Sequence, residues 1–149
     1  MYLILEEIEV KELEKCIYHP IVIHQSSREV EILRILNEDE YTRIDFIYYA
    51  PKHYDCGGWV RVFPEIFIRP SHTDLKLGLV RAENIPLAPS YHFFKRSGEC
   101  LPFTLYFPSL PKETNTIDII ESERPGKNWF NFFGVSMEKI HREAMIIDN

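Results

Sequence analysis

The feature that most limits the fold of this chain is an apolar run with a period of two near its C-terminus. Its apolar members alternate with other residues and are Leu101, Phe103, Leu105 and Phe107. A period of two is typical of a β-strand that buries one face. Pro108 and Pro111 follow the run, and proline cannot donate to a β-ladder. The run therefore predicts a half-buried strand with a sharp end.

Two further β-type runs follow, separated by turn chemistry. Residues 116–121 read TIDIIE and residues 129–135 read WFNFFGV, with a Pro-Gly turn between them. Asp118 alternates with isoleucines in the first run, so its side chain is expected to point to solvent or to end a hydrogen bond to a turn. In the second run, alternation predicts that Phe130 and Phe132 face away from Val135. Apolar residues on both faces favour an inner strand of a sandwich.

These runs, in this order and preceded by Ser97-Gly98-Glu99, resemble an uncharacterised family of small immunoglobulin-like β-sandwich domains. Its members occur in envelope and secreted proteins of gut-associated Gram-negative bacteria, often ahead of a thioredoxin-like domain. Ile44–Pro51, Gly58–Phe63 and Leu79–Leu87 resemble the earlier strands of the family, so the resemblance extends over Val30–Val135. It implies a bacterial origin and a fold, and it brings no catalytic motif with it.

The sequence predicts an all-β fold in a single domain of 149 residues. Residues 28–137 are expected to form an immunoglobulin-like β-sandwich of about seven to nine antiparallel strands. Val30–Leu36 and Tyr41–Ala50 should pair as a hairpin. Residues 1–27 are an N-terminal extension whose structure the pattern leaves open, with a short helix predicted over Lys11–Ile17. Residues 138–149 are expected to be a tail or part of a short helix starting near Met137.

Charge and hydropathy limit the partners and the location. The formal net charge of −6 argues against nucleic acid and against an anionic membrane surface. No segment approaches the roughly 18–20 apolar residues of a membrane span. The start, MYLILEE, has no basic region or long apolar core and is not a signal peptide. Taken by itself the chain reads as cytoplasmic, whereas the family resemblance implies an exported precursor and a periplasmic or cell-envelope location.

The densest polar cluster supplies candidate metal ligands, namely His53, Cys56, His72 and Asp74. Imidazole, thiolate and carboxylate are ligands that zinc uses. Their spacing matches no established zinc motif, so the prediction is no metal. Phosphate-binding glycine loops are also missing, and no cofactor is expected. The competing hypothesis is a metal-assisted hydrolytic enzyme that uses the 53–56 and 72–74 loops.

Cysteines and carboxylates give weaker signals. Cys16, Cys56 and Cys100 are widely spaced and predict buried or half-buried packing thiols with no disulfide framework, a single bridge being the alternative. A nucleophile made from Cys56 or Cys100 with a histidine lacks any local signature that would lower the thiol pKa. Asp118 and Glu121 could form an acid–base pair only if their side chains faced each other. No catalytic residue is therefore predicted.

Aromatic side chains remain as the candidate ligand-binding groups. Tyr54, Trp59 and Trp129 could form an exposed patch that stacks a sugar or a peptide, although aromatics in β-rich domains mainly fill the core. The leading hypothesis is a non-enzymatic binding module whose partner is a protein or a glycan. The alternatives are the metal-assisted hydrolase and a structural domain that forms homo-oligomers.

Overall fold

The computed structural model of the protein describes residues 16–52 and 57–138. Within these ranges there is no helix. The strands are β1 (Cys16–Tyr18), β2 (Val22–Gln25), β3 (Val30–Asn37), β4 (Tyr41–Tyr49), β5 (Trp59–Val60), β6 (Phe67–Pro70), β7 (Leu77–Gly78), β8 (Arg81–Glu83), β9 (His92–Phe93), β10 (Cys100–Pro108), β11 (Thr116–Ile120) and β12 (Phe132–Ser136).

The strands form two five-stranded sheets and a small third one. The first sheet has the order β1-β3-β4-β10-β8, and the second has the order β2-β12-β11-β6-β7. Strands β5 and β9 pair separately. Every pairing between these strands is antiparallel. The predicted all-β class is therefore confirmed, in the form of a β-sandwich.

The core lies between the two large sheets and is built from alternate residues of their strands. Phe46 of β4 stacks on Phe103 of β10 at 5.0 Å between ring centroids. Phe46 also contacts Phe132 of the opposite sheet at 5.9 Å. Each fully buried side chain of this size contributes about 1.5–3 kcal/mol relative to exposure. The apolar faces that the period-two runs predict thus meet in one core.

The central strands agree with the sequence prediction. β3 and β4 pair as a hairpin, with the turn at residues 38–40. β10 lies between β4 and β8, and its register places Phe103 opposite Phe46. Three of the twelve strands have only two residues each. The twelve strands of the described residues exceed the seven to nine that the sequence predicts, and nine of them have three or more residues.

The N-terminal region departs from its prediction. Cys16 and Ile17 belong to strand β1, so the predicted helix over Lys11–Ile17 is wrong at its C-terminal end. β1 pairs with β3 in the first sheet, whereas β2 pairs with β12 in the second. Burial of Ile17 in the core outweighs the local helix preference. Residues 16–25 thus add an edge strand to each sheet; the rest of that helix and the predicted C-terminal helix lie outside the described residues.

The facing pattern of the 129–135 run is also wrong. Phe130 and Phe132 share the core with Val135 instead of facing away from it. The β11–β12 pairing shifts register between Ile117/Val135 and Ile119/Phe132. A β-bulge there adds one residue to β12, which resets the alternation. Gly134 lies in the bulge with a φ of 63°.

Candidate binding cleft

A cleft of about 650 Å³ opens at the end of the sandwich where β4 and β11 end and β3 and β12 begin. Residues from two segments, 57–63 and 125–130, form its walls, and Tyr48 and Glu121 lie between them. The cleft has a volume in the range of roughly 300–1,000 Å³ that ligand pockets occupy. We refer to it as the aromatic cleft.

Glu121 connects the two walls of the aromatic cleft. It follows directly after β11 and is only 7% exposed. Its Oε1 accepts a hydrogen bond from the Phe130 N–H at 2.9 Å, and its Oε2 accepts one from the Phe63 N–H at 3.0 Å. Both carboxylate oxygens are therefore used to hold backbone in place.

The same burial changes the acidity of Glu121. Desolvation raises the pKa of its carboxyl above the ordinary value, and this effect outweighs the two N–H donors and the positive charge of Arg61. A carboxylate with a raised pKa in a cleft is a recognised sign of a functional site.

Asn131 fixes the turn that carries the second wall. Its Oδ1 accepts hydrogen bonds from the N–H groups of Glu121 at 2.8 Å and Ser122 at 3.3 Å. Its Nδ2 donates to the Ser122 carbonyl at 2.8 Å. Sequence reasoning considered Glu121 only as one half of an acid–base pair with Asp118, and it missed Asn131 as a site residue. The available signal was a polar side chain at the end of, or inside, an apolar run.

The indole of Trp129 packs on Phe63 across the cleft, with ring centroids 5.2 Å apart. Gly126 approaches the same indole so closely that a Cβ there would lie 2.7 Å from Trp129 Nε1. Only glycine leaves room for this contact. The Pro-Gly turn of the sequence therefore reverses the chain and also leaves the space that the Trp129 indole occupies.

Arg61 joins the interior rings of the cleft to exposed ones. Its guanidinium carbon lies 4.3 Å from the ring centroid of Tyr91, 5.2 Å from that of Phe63 and 5.3 Å from that of Trp59. Cation–π attraction of this kind contributes about 0.5–1 kcal/mol at exposed sites. The antiparallel pairing of β5 with β9 brings these groups together.

The rings continue onto the surface of the small sheet. Trp59 meets Tyr91 edge to face at 4.6 Å, and Tyr91 meets Phe93 at 5.7 Å. Trp59 is 49% exposed and Phe93 is 68% exposed. We call this continuous set the aromatic ribbon; its members are Phe93, Tyr91, Trp59, Arg61, Phe63 and Trp129.

Two of the three aromatic residues singled out from the sequence are brought together here. Trp59 and Trp129 both line the aromatic cleft. Tyr54 lies outside the described residues. Arg61 and Phe63, which complete the connection between the two tryptophans, were not expected from the sequence because cross-strand neighbours are invisible without the pairing.

The candidate metal ligands are only partly described. His72 and Asp74 are exposed in the turn between β6 and β7, while His53 and Cys56 lie outside the described residues. Ser71 donates its N–H to the Thr116 carbonyl, at the opposite end of β11 from Glu121. Among residues 16–52 and 57–138, no three His, Cys, Asp or Glu side chains come close enough to hold a metal ion. The prediction of no metal and the alternative of a metal site at these residues both remain untested, since half of the candidate ligands are not described.

The two cysteines that the structure describes differ in their exposure to solvent. Cys16 is buried and Cys100 is exposed, and both are free thiols. The prediction of packing thiols is therefore wrong for Cys100. Cys100 shares the outer face of β10 with Pro102 and Thr104, because the alternation that buries Leu101 turns its neighbour outward.

Asp118 is buried and does not point to solvent, and the other expectation for it, a hydrogen bond to a turn, is the one that the structure shows. It is 6% exposed and accepts hydrogen bonds from Gly134 N–H at 3.0 Å and Ser71 Oγ at 2.9 Å. Arg69 pairs with it at 3.1 Å. Asp118 shares none of these partners with Glu121, so the two carboxylates do not form an acid–base pair.

No protein-family model, curated protein or solved structure matches the chain. In the part of the chain that the structure describes, no helix is long and apolar enough to cross a membrane.

Proposed function

We propose that the protein is a non-enzymatic binding module that holds a glycan or a protein segment in the aromatic cleft. The observation that carries this proposal is the aromatic ribbon, which leads without interruption from exposed Phe93 to Trp129 inside the cleft. Aromatic faces supply large contact areas at a small entropy cost, which is why they dominate binding sites.

The state of Glu121 supports binding in preference to acid–base chemistry. A general acid or base needs an oxygen within reach of the substrate proton. Both oxygens of Glu121 already accept backbone N–H groups. Its carboxylate acts as a brace for the cleft walls, which preorganises the site and reduces the entropy lost on binding.

The test uses the full chain and its own tryptophans. The chain contains two tryptophans, and both line the aromatic cleft, so tryptophan fluorescence reports occupancy of the cleft directly. Glycan and peptide arrays are screened first, and hits are titrated in solution. For a true ligand, Trp129→Ala should weaken binding by about tenfold or more, because losing a central aromatic anchor costs on the order of 2 kcal/mol.

Tyr18→Ala is the matched control, since Tyr18 is a 40% exposed aromatic that does not line the cleft. It should bind like the wild type. Array hits that Trp129→Ala leaves unchanged, or no hit in either class, would overturn the proposed function.

A further inference from the structure

We infer that the ligand of the aromatic cleft is an uncharged oligosaccharide. This inference rests on the proposed function and narrows it to one chemical class. Three observations carry it, namely the charge balance of the cleft, the use of its backbone donors, and the reach of the aromatic ribbon beyond the cleft.

The charged side chains of the cleft lining cancel. Among the described residues they are Glu29, Glu121, Arg61 and Lys127, two acids and two bases. Glu29 accepts a hydrogen bond from Ser27 Oγ at 3.0 Å, and Glu121 is held by backbone. A lining without excess charge is complementary to an uncharged ligand. The net charge of −6 on the chain also repels polyanions at long range.

The backbone beside the cleft is poorly suited to an extended peptide. A peptide that adds a strand needs free N–H and C=O groups on a sheet edge. Val62 uses both its N–H and its carbonyl with residues 86 and 88. The next N–H, that of Phe63, is taken by Glu121. Along this segment, a ligand would therefore be bound mainly through side chains and not through the backbone.

The side chains present two chemistries that suit a sugar. Aromatic faces stack on the C–H faces of sugar rings, while a polar side chain at the cleft rim, the exposed amide of Asn128, can bond hydroxyl groups. Trp59, Tyr91 and Phe93 continue the stacking surface outside the cleft. A ligand that uses the whole ribbon must extend over several sugar rings.

The experiment titrates the full chain with matched series of probes by tryptophan fluorescence and calorimetry. The uncharged series are gluco-, xylo- and manno-oligosaccharides from disaccharide to hexasaccharide. The comparators are oligogalacturonates of the same lengths and neutral extended peptides. We expect at least one uncharged series to bind with an affinity that rises by about tenfold or more from disaccharide to hexasaccharide, in line with added aromatic contacts.

Two variants separate the cleft from the outer ribbon. Trp129→Ala should weaken binding at every chain length, whereas Phe93→Ala should weaken only the longer saccharides. Tyr18→Ala should change neither. Added salt should leave the affinity unchanged, since no ion pair with the ligand is involved.

The outcomes distinguish this inference from the proposed function. If oligogalacturonates or peptides bind through Trp129 and uncharged saccharides do not, the inference fails and the proposed function stands. If uncharged saccharides bind but Trp129→Ala has no effect, both fail, because the site is then elsewhere. If no probe of any class binds, the inference is overturned as well.

Discussion

Glu121 is the residue on which the geometry of the aromatic cleft depends most directly. Glu121→Gln keeps the size of the side chain but replaces one acceptor oxygen with an NH₂ group that faces a backbone N–H. One buried donor then lacks a partner, which costs about 1–3 kcal/mol. We expect urea denaturation at neutral pH to show a loss of unfolding free energy of that order, together with a changed Trp129 emission.

Glu123→Gln is the control, because the Glu123 side chain is 63% exposed and its ion pair within the described residues is with Lys76 at 3.4 Å. It should lie within about 0.5 kcal/mol of the wild type, as surface changes usually do. Equal stability of the two variants would show that Glu121 does not brace the walls.

The pKa of Asp45, at another place in the fold, is shifted in the direction opposite to that of Glu121. It lies on the outer face of the first sheet, 8% exposed, and accepts hydrogen bonds from Thr104 Oγ1 at 2.6 Å, Arg43 Nε at 3.1 Å and Arg34 Nε. Burial alone would raise the pKa of Asp45, but these three donors outweigh it and hold the pKa below the ordinary value of 3.8.

The pKa of Asp45 is lower in the folded state than in the unfolded state. Ionised Asp45 therefore stabilises the fold at pH values above the unfolded-state pKa, and this stabilisation is lost as the pH falls through the folded-state pKa. Asp45→Asn should therefore cost about 2 kcal/mol at neutral pH, the scale of a hydrogen bond to a charged group. The gap to the wild type should close as the pH falls below 3.8. Urea denaturation across this pH range measures it; a gap of constant size would contradict the assignment, and exposed Asp39→Asn is the control.

At the scale of single elements, the bulge in β12 makes a specific demand on one glycine. Gly134 has a φ of 63°, and its N–H, set free from the ladder by the register shift, donates to Asp118. Asp118 thus completes the hydrogen bonding of the bulge, and that role explains a carboxylate inside an isoleucine run.

Gly134→Ala should destabilise the fold by about 1–2 kcal/mol, because an L-residue at positive φ brings its Cβ against backbone. The new Cβ would also lie 2.6 Å from Ile23 Cδ1, although Ile23 is 81% exposed and can move. Gly78→Ala, where a Cβ meets nothing within 4 Å, should be close to neutral. Thermal denaturation of both variants makes the comparison. An equal melting temperature for the two would show that the bulge does not require glycine at this position.

The same elements show how far the sequence could lead. Period two is a local property, so it located β10 and β11 and the β3–β4 hairpin correctly. The bulge at Gly134 depends on the partner strand, and it reversed the predicted facing of Phe130 and Phe132. In the cleft, Trp59 and Trp129 could be identified from the sequence as candidate ligand-binding aromatics. The position of Arg61 between them and the hydrogen bonds of Glu121 to both walls depend on pairings that no local pattern encodes.

At the scale of the whole molecule, short segments join the two sheets at both edges. At one edge, residues 19–21 connect β1 of the first sheet to β2 of the second, and residues 26–29 lead from β2 back to β3. At the other edge, residues 79–80 connect β7 of the second sheet to β8 of the first. The aromatic cleft lies where the layers meet, so its walls belong to a framework that is tied together at several points.

The place of β10 in the first sheet has a consequence for synthesis of the chain. β4 is an inner strand of the finished sheet, yet its partner begins at Cys100, and Thr42 Oγ1 bonds the Pro108 carbonyl 66 residues later. Until the ribosome has released β10, the nascent protein presents β4 as an apolar strand edge, a template for wrong pairing with other chains. A chain that stops short of Cys100 would keep that edge open permanently and should aggregate.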